Sequence, residues 1–301
     1  MSEEKHIKNI MWAASKLAFS IVDGKLPKDY KTRIDYKYKE VEGNCYQIAE
    51  FKGDVYSYTG GIESIHAGLV GISKGGIIIS LRGTDGNDTE IGEFLDWMNN
   101  FLAMQASFAP YGKGNVHLGF LGAVVSIKDA IIKKTRELLQ EAGNKENSPV
   151  IYITGHSKGG AMAAIMAKVL QQQFTNKIVV YTFGAPRVGD DIFRQYYKVP
   201  HFRYESFLDI VSHLSFSGQE LELIPRMGIF HEILSPILVF PAYAPVGTGI
   251  CIYKPRRNYG LLPWNTDNSL EEKLDSFCAI EQVVRSGEFQ IFADVHGNDY
   301  Y

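Results

Sequence analysis

At 301 residues, with 45% hydrophobic and 22% charged residues, the chain is long enough to bury a substantial core, and its balance is that of a globular protein rather than a disordered or fibrous one. A formal net charge of −3 without any basic block excludes the electrostatic footprint of a nucleic-acid binder. Three widely spaced cysteines, Cys45, Cys251 and Cys278, match neither a disulfide framework nor a metal-ligand spacing, and read as thiols in a reducing compartment.

Residues 7–22 carry apolar positions in a helical pattern. The N-terminal stretch lacks the apolar segment of a secretory signal, so cytoplasmic residence is the expectation, although signal-independent export would leave no mark. Residues 31–50 mix charged and aromatic side chains and read as a helix leading into a strand. Residues 51–58 and 64–73 read as strands on either side of a Gly60-Gly61 turn. After a turn at Lys74-Gly75-Gly76, residues 77–81 (Ile-Ile-Ile-Ser-Leu) form a nearly continuous apolar strand, the pattern of a strand covered on both faces. Residues 83–115 are irregular and rich in Gly and Asn, with large apolar residues between 94 and 108. A long helix is expected over 120–143, then a strand from Val150, a helix to Gln173, a buried strand over 177–183 and a short helix over 190–197 opened by Asp190 and Asp191. A strand over 202–207 ends in Leu208-Asp209. Further strands are expected at 250–253 and 289–294, and a helix at 270–286. The most apolar stretch, 229–253, contains Pro236, Pro241 and Pro245, so it is not one uninterrupted helix, and no segment has the length of a membrane span. Strands alternating with helices, with no Pro/Ser-rich linker, predict one α/β domain over 1–301 with a mainly parallel central sheet and helices on both faces.

The run Thr154-Gly155-His156-Ser157-Lys158-Gly159-Gly160 carries the chemistry. An apolar strand precedes it and a helix of small residues follows, the strand–turn–helix setting of a nucleophile elbow, G-x-S-x-G. The turn strains Ser157 and lifts its hydroxyl clear of the sheet, and glycines at 155 and 159 avoid collisions with the neighbouring strand and helix. No Gly-Lys-Ser/Thr closes the run, which excludes a phosphate-binding loop. A serine hydroxyl needs a histidine to take its proton and a carboxylate to orient that histidine. In elbow folds these follow in the order acid, then histidine. Asp209 stands just past a strand end, where ligand sites of open α/β sheets lie. Glu205 is within the strand. His201 precedes the acid and His213 follows it by only four residues. That leaves His296, in a late loop able to reach back over the strand ends, as the preferred base, and His231 as the alternative. The oxyanion needs two donors: the backbone N–H of Lys158, and Thr84 in the loop after an earlier strand. Arg82 reads as a structural ion-pair partner.

Several segments in order now resemble the class 3 lipase family of α/β-hydrolases: Leu81-Arg82-Gly83-Thr84, Asp96-Trp97, Val116-His117-Leu118-Gly119-Phe120, the elbow, the run Tyr181-Thr182-Phe183-Gly184-Ala185-Pro186-Arg187-Val188-Gly189, and Asp209-Ile210-Val211. The resemblance covers roughly residues 60–300. It implies the α/β-hydrolase fold, a Ser157–Asp209–His296 triad and an oxyanion hole from Thr84 and Lys158. It also implies hydrolysis of glyceride, phospholipid or similar acyl esters through an acyl-enzyme, without metal or cofactor. Residues 1–58 then form an N-terminal extension, 86–114 a lid and 265–288 an inserted helix. The lid's Phe94, Leu95, Trp97, Met98, Phe101, Leu102, Met104 and Phe108 either close over the serine in water and open at a membrane or lipid-droplet surface, or pack on the core. The acidic group Asp85, Asp88, Glu90, Glu93 and Asp96 matches no calcium-loop spacing and reads as a solvated loop. The sequence departs from the family pattern in two places. Lys158 stands where typical members have Leu, as in a bacterial-type Gly-His-Ser-Lys-Gly-Gly subgroup, and the stretch from 209 to 296 is long. An acyltransferase or non-lipid esterase using the same triad, and a catalytically inert scaffold of the same fold, remain as alternatives.

Overall fold

The computed structural model describes residues 3–30, 38–39, 46–47, 51–73, 76–84, 104–142, 148–206, 208–213, 242–253, 260–264 and 295–296. The chain packs as two compact units, one of Met1–Asp85, Gly119–Ala185 and Val199–His201, the other of Gly86–Leu118, Pro186–Lys198 and Phe202–Tyr301.

The first unit opens with helix α1, Glu3–Ala18. It starts and stops earlier than the apolar pattern predicts. Phe19, Ser20 and Ile21 donate to carbonyls three residues back, which tightens and ends the helix. Asp23 and Gly24, both at positive φ, then turn the chain so that Val22 and Lys25 exchange both backbone hydrogen bonds. Of the stretch expected to begin as a helix, the described residues are β1, Tyr38–Lys39, and β2, Tyr46–Gln47, an antiparallel pair. Strands β3 (Phe51–Gly60), β4 (His66–Ser73) and β5 (Gly76–Leu81) run as antiparallel neighbours. The short connections between them allow only that arrangement. β5 is buried along its whole length, as its unbroken apolar run requires.

In the second unit, β6 (Gln105–Ser107) and β7 (Asn115–His117) form a hairpin that the glycine-rich composition of that stretch concealed. Helix α2, Leu118–Glu141, follows and from Gly119 onward belongs to the first unit. In the first unit, β8 (Val150–His156) lies parallel to β5, with Leu81 opposite Gly155. Helix α3 (Lys158–Gln171) leads to β9 (Ile178–Phe183), parallel to β8.

Side-chain alternation shows which face each helix covers. The Ser80 and Thr154 hydroxyls donate to the carbonyls of Ala14 (2.9 Å) and Met11 (3.1 Å), so these positions face α1. Their neighbours point the other way: Gly155 backs onto Gly159 and Gly160 of α3, and Gly68 onto Ile131 of α2. Helices thus cover both faces, as the sequence predicts.

The core of the second unit is aromatic. Phe108 is fully buried against Phe193, 5.2 Å away edge-on, and Phe193 against Tyr197. Phe108 is therefore a core residue, whereas Met104 is exposed. Helix α4, Asp191–Tyr196, is capped by Asp190, whose carboxylate accepts from Phe193 N and from both the backbone and side-chain amides of Asn115. Strand β10 (His201–Ser206) is parallel to β11 (Thr248–Tyr253), which pairs antiparallel with β12 (Gly260–Trp264). Pro263 hides β12 from a sequence reading, because proline in a strand is tolerated chiefly at an edge. Among the described residues no helix is long and apolar enough to cross a membrane. Residues 85–103, with the acidic group and most of the lid, and 265–294, with the predicted inserted helix and the closing strand, lie outside the described residues.

Candidate active site

Ser157 joins β8 to α3 at φ 56°, ψ −131°, a region few non-glycine residues enter. Holding a residue there costs on the order of 1–3 kcal/mol and requires surroundings that over-determine it. They do so here. Its N–H donates to Phe183 O at 2.9 Å, and its carbonyl accepts from Gly160 N at 2.9 Å, opening the helix. A Cβ at Gly159 would overlap the Leu81 carbonyl, so only glycine lets α3 approach β5 this closely. Ala161, Ala163 and Ala164 are buried where the helix meets the sheet.

Register brings a second segment alongside. Because Leu81 pairs with Gly155, the chain leaves β5 at the level where β8 delivers the serine. Gly83 touches the His156 carbonyl so closely that a Cβ would stand 2.8 Å from its oxygen. Thr84 follows and is exposed. Arg82 serves structure, donating to the carbonyls of Ile21 and Ile65. Lys158 is half-buried at the helix start. His66, also half-buried, has its pKa lowered to about 4 by burial and by the charges of Lys158 and Arg82, so its ring is neutral at pH 7.

Asp209 and His296 meet in the second unit, 87 residues apart in sequence, with Asp209 Oδ2 2.9 Å from His296 Nδ1. The carboxylate is fully buried while the imidazole keeps some exposure. Asp209 Oδ1 accepts from Val211 N at 2.9 Å, and the Ser212 hydroxyl lies 3.5 Å from Oδ2, so the short 3₁₀ turn Ile210–His213 cradles the acid. Sequence reasoning did not single out Ser212, and Val211 entered it only as part of the segment Asp209-Ile210-Val211. The spacing Asp-x-x-Ser after a strand, a capping pattern, was the available signal. A buried carboxylate against Nδ1 fixes the ring and its tautomer, and supports positive charge on the imidazole when Nε2 takes a proton.

The other candidate carboxylates are occupied structurally: Asp190 caps α4, and Glu205 pairs with Arg203 at 2.7 Å. His201 is buried 2.9 Å from the Thr182 hydroxyl. His231 lies outside the described residues. Ser157, Lys158 and Thr84 thus belong to the first unit, and Asp209 and His296 to the second. Among the described residues no group of three or more His, Cys, Asp or Glu is placed to hold a metal ion.

Residues 78–218 match the family model Lipase (class 3). A lipase of Rhizomucor miehei is 29% identical over 126 residues, 40% of this chain and 34% of that protein. A chloroplastic phospholipase A(1) of Arabidopsis thaliana is 31% identical over 136 residues, 40% of this chain and 28% of that protein. The chain thus spans about a third of the length of the curated relatives it matches. Among solved structures, a mutant of MDLA from Penicillium cyclopium superposes with TM-score 0.61 at 18% identity, covering 92% of each chain. A triacylglycerol lipase, described as having a serine protease triad for its catalytic centre, gives TM-score 0.57 at 17% identity, covering 87% of this chain and 84% of that one. At such identities the likeness defines the fold, and the chain has the α/β-hydrolase fold.

Proposed function

We propose that the chain is a serine hydrolase of lipid carboxylic esters. The observation that carries this reading is Ser157, a non-glycine residue held at φ 56° between a buried strand and a helix packed tightly beneath it. In the proposed reaction, Ser157 Oγ attacks the ester carbonyl carbon while its proton passes to His296 Nε2. Asp209, bonded at Nδ1, stabilises the imidazolium. The backbone N–H of Lys158 and the N–H or hydroxyl of Thr84 donate to the oxyanion. Collapse of the tetrahedral intermediate breaks the ester C–O bond, and His296 returns the proton to the departing alcohol. Water, deprotonated by His296, then cleaves the acyl-enzyme, releasing the fatty acid and free Ser157.

The lipid assignment draws on the class 3 lipase match over 78–218 and on the lipase and phospholipase relatives. The reading extends to a bacterial-type Gly-His-Ser-Lys-Gly-Gly subgroup, supported by Lys158 directly after the nucleophile, and to transient contact with a membrane or lipid-droplet surface, supported by the lipid class of the proposed substrate. A fluorophosphonate probe tests the nucleophile: wild type is labelled at Ser157, whereas Ser157→Ala is not. Labelling that persists in Ser157→Ala, or its absence from a folded wild type, rejects the proposal. A panel of glycerides, phospholipids and water-soluble esters, with products identified by mass spectrometry, separates lipid from non-lipid hydrolysis and from acyl transfer.

A further inference from the structure

We propose that Phe19, just beyond α1, is a positioning residue that sets the separation of the two oxyanion donors. The inference rests on the nucleophile reading above. Thr84 stands one residue after Gly83, and Lys158 two residues after His156. The Phe19 ring meets both of those preceding residues. Its centroid lies 5.7 Å from that of His156, and a Cβ at Gly83 would stand 2.7 Å from Phe19 Cζ as well as 2.8 Å from His156 O. Gly83, His156 and Phe19 therefore close on one another with no room for another atom.

The ring is itself anchored. Phe19 N donates to Lys16 O at 3.1 Å. Its helix is pegged to β5 and β8, the two strands that lead to Thr84 and Ser157, by the Ser80 and Thr154 hydroxyls. Trp12 adds edge contacts to His156 at 5.5 Å and to Phe183 at 4.9 Å. Helix α1 and Phe19 lie outside residues 78–218, so this buttress comes from the chain's own N-terminal segment.

The energetic reason is differential. An oxyanion forms only in the transition state, and its donors act only if both already point at one place. Thr84 is exposed and has no burial of its own to hold it. Removing the Phe19 ring frees Gly83 to shift against His156, which weakens transition-state binding more than substrate binding and appears in kcat rather than KM.

The test compares wild type, Phe19→Ala and Phe19→Leu with a water-soluble p-nitrophenyl ester and an alkyl boronic acid as tetrahedral mimic. Fluorophosphonate labelling of wild type comes first, since failure there rejects the nucleophile reading whatever Phe19 does. Given labelling, Phe19→Ala should lose about tenfold in kcat with KM changed by less than about twofold, boronate affinity should fall in parallel, and Phe19→Leu should recover most of the loss. Turnover of Phe19→Ala within about twofold of wild type, or a fall in kcat not matched by boronate affinity, overturns the proposal. If Phe19→Ala does not fold, Phe19→Leu decides: a loss of about two- to threefold in kcat at constant KM supports it, and unchanged kcat overturns it.

Discussion

Gly155 offers a sharp test of why the elbow needs its glycines. It lies two residues before Ser157 with its α-carbon against the first turn of α3. A Cβ there would overlap the Gly159 carbonyl group and stand 2.7 Å from Gly160 N, well inside the ~3.5 Å optimum for non-bonded heavy atoms. Every opposing atom is backbone, so relief requires α3 to move off β8. Overpacking costs about 1–3 kcal/mol, and the upper end applies where the backbone must yield. About 3 kcal/mol corresponds to a fall in Tm of roughly 5 °C in a chain of this size. A shift of about 1 Å at Ser157 and Lys158 costs about 100-fold in turnover. Gly122 is the internal control. It is exposed in α2 with nothing within 4 Å of an added Cβ, so Gly122→Ala should gain about 0.5–1 kcal/mol through helix propensity alone, with turnover unchanged. Thermal unfolding by circular dichroism and p-nitrophenyl ester turnover measure both variants. A Gly155→Ala protein with Tm within about 2 °C of wild type and full activity would refute the steric reasoning.

Asp209→Asn keeps an acceptor for Val211 N but removes the charge beside His296 Nδ1; turnover should drop by about 10³–10⁴ with an unchanged circular dichroism spectrum, and near-normal turnover would remove Asp209 from the chemistry. Asp190→Ala strips the α4 cap and two bonds to Asn115, a loss of about 1–2 kcal/mol in urea unfolding, and a change below about 0.5 kcal/mol would contradict the capping role. His66 titrates near 6.5 when unfolded but, with its pKa lowered to about 4 by burial and by Lys158 and Arg82, resists protonation in the fold. The unfolded chain therefore binds the proton first, and stability falls as pH drops from about 6.5 to about 4. With the ring partly in water, the loss is on the order of 1 kcal/mol. His66→Gln should flatten the fall in Tm over that window, and an unchanged pH dependence would exclude His66 as its source.

The legible parts of the fold are those written in contiguous stretches. The elbow carries its strand, its glycines and its small-residue helix within one run, so local sterics and periodicity suffice to read it. The buried strand over 77–81 and the long helix ending near Glu141 follow from apolar patterning in the same way. Chain order and a strand end pointed to Asp209, and loop position to His296, without determining that the two would meet. The end of α1 is not legible in the sequence, because an apolar period continues past Ala18 while turn chemistry at Asp23-Gly24 and three-residue backbone bonds take over. For Phe108 the sequence leaves lid and core both open, because composition does not distinguish an apolar residue that covers a site from one that fills a core, and burial decides for the core.

By itself, then, the amino-acid order determined the α/β class, the strained turn at Ser157 and the residue types proposed to serve it, because dihedral preferences, strand and helix periods and glycine sterics act over a few residues. Only tertiary structure decided which distant groups come together: the 2.9 Å approach of His296 to Asp209, the hydroxyls of Ser80 and Thr154 reaching α1 across 66 and 143 residues, and Phe19 meeting His156. Such contacts depend on how whole elements pack, and a serine, threonine or phenylalanine in an apolar stretch bears no local sign of the partner it will find.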